Sequence, residues 1–300
     1  MLELSDKNII SMNLTLSNRK NWNIIGLASC KEWISNFFNI IKPESFSSSK
    51  ATNLVYIRAK EKNAEDILKN VDILPELPLE GWNISRLAYL RFLYHPEINY
   101  IICDIGKIQE EIEFTKMQLA LFPLYREIIN EGGLLVHSAL LEYKRDGIII
   151  GGPGGNGKSS CCMRIVSPWV PLCDDLTLIV KNKNYYGHPL PTWSNYILKK
   201  NEPLFNTSIE YFIPIKAIFF LEKSNEDKII PIRQREAAFK LTQLSLQVTT
   251  LFLSNIKKEE AIEIKAKLFE NSYELASKIP CYILRHSLHG EFWKEIEKVL

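Results

Sequence analysis

The fold of this chain is decided by the segment Ile148-Ile-Ile-Gly-Gly-Pro-Gly-Gly-Asn-Gly-Lys158-Ser159. Its three isoleucines are typical of a buried strand, and this strand runs directly into a glycine-rich loop. The residues that follow, from Lys158 to Val166, are predicted to form a short helix that Pro168 ends. Strand, glycine loop and helix in this order indicate an α/β fold.

The glycine-rich loop matches a phosphate-binding pattern. Residues 152–159 fit G-x-x-x-x-G-K-[ST] in full, between a strand and a helix as the pattern requires. In such loops the backbone N–H groups point at phosphate oxygens, and we expect Gly154, Gly155 and Gly157 to supply the positive φ angles. We therefore predict that ATP or GTP is bound by the loop and the first turn of its helix, which comprise Gly152, Pro153, Gly154, Gly155, Asn156, Gly157, Lys158, Ser159 and Ser160. Lys158 is expected to reach the β- and γ-phosphates, and the Ser159 hydroxyl to bind Mg²⁺.

A pair of carboxylates, Asp174 and Asp175, follows the loop closely in Leu172-Cys-Asp-Asp. Two adjacent carboxylates beside a triphosphate are costly unless a cation neutralises them. We expect one of them to hold Mg²⁺, directly or through water, and the other to accept the proton of an attacking hydroxyl. Asp175 is the candidate metal ligand together with Ser159, although the residue types do not decide which carboxylate takes which role.

A histidine lies on the strand predicted before the loop, in Leu134-Leu-Val-His137-Ser-Ala-Leu-Leu-Glu-Tyr. A turn at Lys144-Arg-Asp-Gly147, with the Asp-Gly pair typical of hairpins, is predicted to return this strand to the loop. By its apolar neighbours His137 is a core residue, but the hairpin could also bring it to the carboxylate pair. Both interpretations stay open on the pattern alone.

The rest of the chain suggests two parts. Residues 1–110 are predicted to form a small α+β module, with strands at Asn23–Leu27 and Asn53–Arg58, a helix from Trp33 and a loop at Ser45–Ser49. Residues 111–300 are predicted to form the domain that holds the phosphate loop, with a mixed sheet. Its helices are expected at about residues 110–130, 235–246 and 257–275, the first of them kinked by Pro123.

Composition excludes some classes of partner and location. The formal net charge of +2 is too balanced for nucleic acid or an acidic membrane to be the main partner. No apolar run is long enough to span a bilayer, and Met1–Lys7 lacks a basic segment followed by an apolar one. The six cysteines form no C-x-x-C pair, so we expect buried free thiols rather than a zinc site. These features predict a cytoplasmic protein.

Several motifs together resemble a known family. His137 on a strand, the hairpin, the loop, the short helix and Asp174-Asp175 look like the HPr kinase/phosphorylase catalytic domain, whose fold is similar to the core of phosphoenolpyruvate carboxykinase. The wider strings more closely resemble HPr-kinase-related proteins of peptide-modification gene clusters, of the ScmC type in the SynChlorMet cassette. They are His137-Ser-Ala-Leu-Leu-Glu, Gly151-Gly-Pro-Gly-Gly-Asn-Gly-Lys-Ser-Ser-Cys-Cys, Leu172-Cys-Asp-Asp, Gly187-His-Pro-Leu-Pro-Thr-Trp-Ser194 and Ala217-Ile-Phe-Phe-Leu-Glu222.

The resemblance implies a function. It implies an ATP- and Mg²⁺-dependent kinase that phosphorylates a hydroxyl, most often serine, of a protein or a ribosomally made precursor peptide. Lys158 would bind phosphate, Asp174 or Asp175 would be the general base, and His137 would orient it. The family assembles as oligomers, so a homo-oligomer is possible. Two alternatives stay open: a nucleotide-binding regulatory or scaffold protein of a peptide-modification cluster, and a simple NTPase.

One segment departs from the family pattern. The glycine-containing signature of HPr kinase/phosphorylases after the carboxylates is missing, and Pro189–Tyr196 stands in its place. We therefore expect an acceptor other than HPr. The segment itself, with His188 and Trp193, fits either a loop that covers a binding pocket or an irregular surface loop with a structural tryptophan.

Overall fold

The computed structural model of the chain describes residues 9–44, 51–59, 80–198 and 207–300, with residues 67, 68, 71, 77, 78 and 205 between them. Within these residues the protein is a mixed α/β structure with two mixed sheets. The loop expected at Ser45–Ser49 and the segment Met1–Lys7 lie outside the described residues. None of the described helices combines the length and the apolar character that a membrane span requires.

The first sheet has six strands, all from residues 9–104. They run in the order β1-β2-β3-β6-β5-β4, with β2, β3 and β6 parallel and the outer pairs antiparallel. Their bounds are β1 Ile9–Thr15, β2 Asn21–Leu27, β3 Thr52–Ile57, β4 Asn83–Leu87, β5 Leu90–Tyr94 and β6 Tyr100–Asp104. The strands predicted at 23–27 and 53–58 are confirmed, because a central parallel strand is buried on both faces and reads as a continuous apolar run. Helix α1, Lys31–Ile41, packs its aromatic face against this sheet.

The second sheet has eight strands and carries the glycine-rich loop. Its order is β11-β10-β7-β8-β12-β14-β13, with β9 paired to β7 and with β11 also paired to β12, so that five of the strands close on themselves. Their bounds are β7 Leu134–Tyr143, β8 Asp146–Gly151, β9 Val170–Cys173, β10 Leu176–Lys181, β11 Tyr185–Pro189, β12 Ile213–Lys223, β13 Lys228–Pro231 and β14 Cys281–His286. Strands β8, β12 and β14 are parallel, and the others pair antiparallel.

The helix predicted for residues 110–130 is in fact two helices. They are α2, Glu113–Ala120, and α3, Phe122–Asn130, with a short 3₁₀ turn at Glu110–Ile112 before them. The break falls at Leu121 because Pro123 occupies the first turn of α3, where its missing N–H costs no hydrogen bond. The remaining α-helices bounded within the described residues are α4 Lys158–Arg164, α5 Trp193–Ile197, α6 Gln234–Leu253, α7 Lys258–Lys278 and α8 Phe292–Glu297.

The β7–β8 hairpin turns one residue pair earlier than expected. Its two central residues are Lys144 and Arg145, at φ 51° and 69°, and Asp146 already pairs with Tyr143. The turn therefore lies within the predicted segment Lys144–Gly147, but it is centred on Lys144-Arg145 and not on the Asp-Gly pair. Gly147 instead belongs to β8, where a Cβ atom would lie 2.8 Å from the Ile213 side chain, so β12 can approach only a glycine.

Side chains from both sheets meet in one hydrophobic cluster. Phe37 and Tyr56 from the first sheet and its helix belong to the same cluster as Leu178, Trp193 and Phe252. The division of the chain at residue 110 stays a prediction. All six cysteines are buried and free, as expected.

Candidate functional site

The glycine loop connects β8 to α4, as its pattern predicts. Gly155 and Gly157 adopt φ 79° and 96°, and Gly157 is the residue that precedes the first turn of α4. Gly154 does not take the positive φ that we expected, because the two reversals of the chain fall at the other glycines. The backbone around Gly154 is open, since no atom lies within 4 Å of the position of a Cβ there. Ser159 and Ser160 are exposed at the start of α4.

The Lys158 side chain is buried and folds back on the loop. Its Nζ donates hydrogen bonds to the carbonyl oxygens of Gly152, at 2.7 Å, and Pro153, at 3.3 Å. Burial lowers the pKa of this amine, while the nearby carboxylates of Asp175 and Asp174 act in the opposite direction. The ammonium group is thus kept at the beginning of the loop, close to the carboxylate pair.

The two adjacent carboxylates have different environments. They lie in the short connection between β9 and β10, and the Asp174 side chain is only 4% exposed. Asp174 Oδ1 accepts a hydrogen bond of 2.6 Å from the Thr192 hydroxyl, which is also buried. Asp175 is partly exposed, and its Oδ2 accepts a longer bond of 3.3 Å from the Ser194 hydroxyl. Asp175 is therefore the carboxylate that a ligand can reach.

His137 contacts the accessible carboxylate. It lies opposite Leu176 in the β7–β10 pairing, and this register places its Nε2 3.3 Å from Asp175 Oδ1. The other ring nitrogen, Nδ1, lies 3.0 Å from Oε1 of Gln247 on α6. Of the two interpretations that the pattern left open, the structure has the one in which the hairpin brings His137 to the carboxylate pair.

One cleft brings three of the predicted site residues together, namely Gly154, Asp175 and His137. We call it the loop cleft; it has a volume of about 390 Å³ and contains Gly154 of the glycine loop, Asp175, His137 and Gln247 among its walls. The remaining walls come from α2, α5 and α6 and from the start of β10, namely Gln118, Leu176, Trp193, Ser194, Ile197, Val248 and Leu251. Asp174 and Lys158 are buried and are not among the residues that line the cleft.

Two groups of residues near the site were missed or left undecided by the sequence. Gln247 was missed because the predicted helix ended at Leu246, whereas α6 continues to Leu253. His188 is fully buried and bonds to Ser17 and the Ile209 carbonyl oxygen, so this part of its segment is structural. Thr192 and Ser194 in the same segment contact the carboxylates instead.

Comparison with known protein families places much of the chain in one of them. The family model described as SynChlorMet cassette protein ScmC matches residues 101–300, which is two thirds of the 300-residue chain. The matched region contains the glycine loop, the carboxylate pair, His137 and Gln247. No curated protein matches the chain. The chain therefore belongs to the ScmC family of SynChlorMet cassette proteins.

Proposed function

We propose that this protein is an ATP- and Mg²⁺-dependent kinase that transfers a phosphoryl group to a hydroxyl, most often serine, of a peptide or protein. The observation that carries the proposal is the loop cleft itself. In it an accessible carboxylate paired with a histidine, Asp175 with His137, faces the same space as Gly154 of the glycine loop. A site of this kind provides for both partners of a transfer, a triphosphate and a hydroxyl that must lose a proton.

The proposed reaction uses Asp175 as the proton acceptor. The acceptor oxygen forms a bond to the γ-phosphorus, the bond between the γ-phosphorus and the β–γ bridging oxygen breaks, ADP leaves, and the hydroxyl proton passes to the Asp175 carboxylate. His137, held at its other ring nitrogen by Gln247, orients that carboxylate. Asp174 is unsuited to take the proton because it is buried and its Oδ1 already accepts the Thr192 hydroxyl bond.

The residues for the phosphates and the metal follow from the loop. Lys158 would exchange its hydrogen bonds to the loop carbonyl oxygens for hydrogen bonds to phosphate oxygens. Phosphate oxygens carry more negative charge, so an ammonium group forms shorter and stronger hydrogen bonds with them. The Ser159 hydroxyl is exposed at the loop's end and is a hard oxygen donor of the kind that Mg²⁺ takes. With Asp175 assigned as the base, the buried Asp174 would hold the ion through a water molecule. A Mg²⁺ ion held there would neutralise part of the charge on the transferring group.

The proposal is tested by phosphoryl transfer from γ-³²P-labelled ATP to a pool of serine-containing peptides in the presence of Mg²⁺. We expect label on peptide and a fall in its rate of about a hundredfold or more in Asp175→Asn, with the affinity for nucleotide retained. Asp146→Asn, at the opposite end of β8, is the matched control and should behave as the unchanged protein. Equal label in Asp175→Asn and in the control would contradict the assigned base.

Two other outcomes would replace the proposal. Release of free phosphate at the same rate with and without peptide would indicate a simple NTPase. Tight nucleotide binding with neither transfer nor hydrolysis would indicate a regulatory or scaffold protein that binds nucleotide. Both outcomes are read in the same assay, because free phosphate, labelled peptide and intact ATP separate by chromatography.

A further inference from the structure

A second cleft adjoins the loop cleft, and the proposed reaction does not use it. We call it the α6 cleft; it has a volume of about 460 Å³ and lies between the start of the glycine loop, the end of β12 and α6. Its walls are mainly apolar, with Phe220, Leu221, Leu244 and Leu246, and Lys240 and Thr250 also line it. A cleft of this composition fits an apolar side chain next to a polar backbone.

Gln247 joins the two clefts. It lines both of them, and its amide also contacts the His137 ring that pairs with Asp175. A ligand that placed a hydroxyl at Asp175 could therefore extend past Gln247 into the α6 cleft. An extended peptide advances about 3.3–3.6 Å per residue, so only a few residues are needed for this path.

The α6 cleft lies beside the start of the glycine loop. Its walls include Gly152 and Pro153, the two residues whose carbonyl oxygens hold Lys158 Nζ. The lysine of this motif reaches the β- and γ-phosphates. The α-phosphate and the ribose of a nucleotide must therefore extend away from these residues. The acceptor approaches a phosphoryl group from the terminal end.

One face of Phe220, the aromatic residue in the wall of the α6 cleft, is covered by a lysine. Lys240 Nζ lies over the Phe220 ring, 6.0 Å from its centroid, so that this face is taken by a cation and is not open for stacking a nucleobase. The same ammonium lies at 4.0 Å from Glu236 on the surface of α6. A solvent-shared ammonium at the edge of an apolar cleft favours a carboxylate on the ligand.

We propose that the α6 cleft binds the acceptor peptide beside its phosphorylated residue, taking an apolar side chain in the cleft and preferring an acidic residue at Lys240. This inference rests on the proposed kinase function and adds the substrate class to it. The selectivity would come from Leu244 and Leu246, which give the apolar surface, and from Lys240, which gives the charge.

The test is a positional-scanning library of peptides with a fixed central serine, phosphorylated with γ-³²P-labelled ATP. The unchanged protein should prefer a large apolar residue at one fixed position and Asp or Glu at a nearby one. Thr250→Trp, which fills the cleft from its exposed edge, should lower kcat/KM for the preferred apolar peptides by about tenfold and leave the KM for ATP within about twofold. Lys240→Glu should abolish the acidic preference.

Matched controls introduce a tryptophan and a charge reversal on α7. Ala266→Trp and Lys265→Glu are exposed there, away from both clefts, and should leave the preferences unchanged. Label without positional preference, or a preference that Thr250→Trp does not alter, would overturn this inference and leave the kinase function standing. A KM for ATP that rises as much as that for peptide would instead make the cleft a nucleoside site. A library with no labelled peptide would overturn both proposals.

Discussion

Asp174 and Asp175 are neighbours in the chain, but the contacts of their side chains separate their properties. Asp174 is enclosed and bonded to the buried Thr192 hydroxyl, whereas Asp175 is open to the loop cleft. A buried carboxylate that loses a hydrogen-bond donor keeps its desolvation cost, whereas an exposed one exchanges the donor for water. Loss of the hydrogen bond to Asp174 should therefore lower the stability of the fold, whereas changes at Asp175 should affect the proposed reaction.

Thr192→Val tests this difference. The change keeps the shape of the side chain and removes the donor to Asp174, so we expect the free energy of unfolding to fall by about 1–3 kcal/mol. Ser194→Ala removes the longer, exposed hydrogen bond to Asp175 and should change the free energy of unfolding by less than about 0.5 kcal/mol. Urea unfolding of both variants at pH 7 measures the two values, and equal losses would contradict the account.

Gly157 and Gly154 form a second matched pair. Gly157 has φ 96° and a Cβ there would lie 3.2 Å from His286, so Gly157→Ala should destabilise the protein by about 1–2 kcal/mol. Gly154→Ala meets no atom within 4 Å and needs no left-handed backbone, so its effect should be below about 0.5 kcal/mol. The measurement is thermal unfolding without nucleotide. A larger loss for Gly154→Ala would show that the loop has another conformation.

At the scale of the element, the β7–β8 hairpin sets the position of His137. Its register runs from Tyr143–Asp146 at the turn to Ser138–Gly151 at the loop, so a slip of one residue would move His137 to the other face of the sheet. The turn uses Lys144 and Arg145 at positive φ, which side chains of this kind adopt at a cost. The buried flanking strands therefore impose the turn.

The energetic cost of the two positive φ angles in the β7–β8 turn can be removed. Replacing Lys144 and Arg145 by Asn and Gly, the pair favoured in two-residue hairpin turns, should raise the free energy of unfolding by about 1 kcal/mol. The double change to Ala, which removes the same side chains without glycine's freedom, should not stabilise the protein. Chemical unfolding of the two double variants provides the comparison, and an equal gain in both would point to the removed charges as the cause.

At the scale of the whole molecule, His188 ties the two sheets together. Its Nδ1 donates to the Ile209 carbonyl oxygen at 2.8 Å, so the proton is on that nitrogen, and its Nε2 accepts from Ser17, which follows β1. Burial lowers the pKa of this imidazole from 6.5 to about 4. The folded protein therefore holds the neutral ring, which fits these partners.

The lowered pKa predicts a loss of stability in mild acid. Between pH 6.5 and about 4 the unfolded chain binds a proton that the folded protein does not, so stability is full above pH 6.5 and falls as the pH decreases. The slope due to this group is at most about 1.4 kcal/mol per pH unit. Urea unfolding at pH 7 and pH 5 should show a smaller difference in His188→Gln than in the unchanged protein. Equal differences would mean that His188 titrates normally in the fold.

Much of the second half of the chain could be read from local patterns. The loop between β8 and α4 and the strand runs follow from rules that act over a few residues, such as glycine's φ range in loops. Other elements depend on pairing that no local signal contains. Strand β11 pairs with both β10 and β12, and Gly147 is a strand residue because β12 approaches it.

By itself the sequence determined the phosphate-loop motif, the neighbouring carboxylate pair and the membership in the ScmC family. The tertiary structure decided which carboxylate is accessible, that His137 reaches it, and that Gln247 lies between two clefts. The physical reason is the distance along the chain between the residues that interact. A motif records residues that act on the same short stretch of backbone, whereas accessibility and partners arise where β7, β10, α5 and α6 pack together.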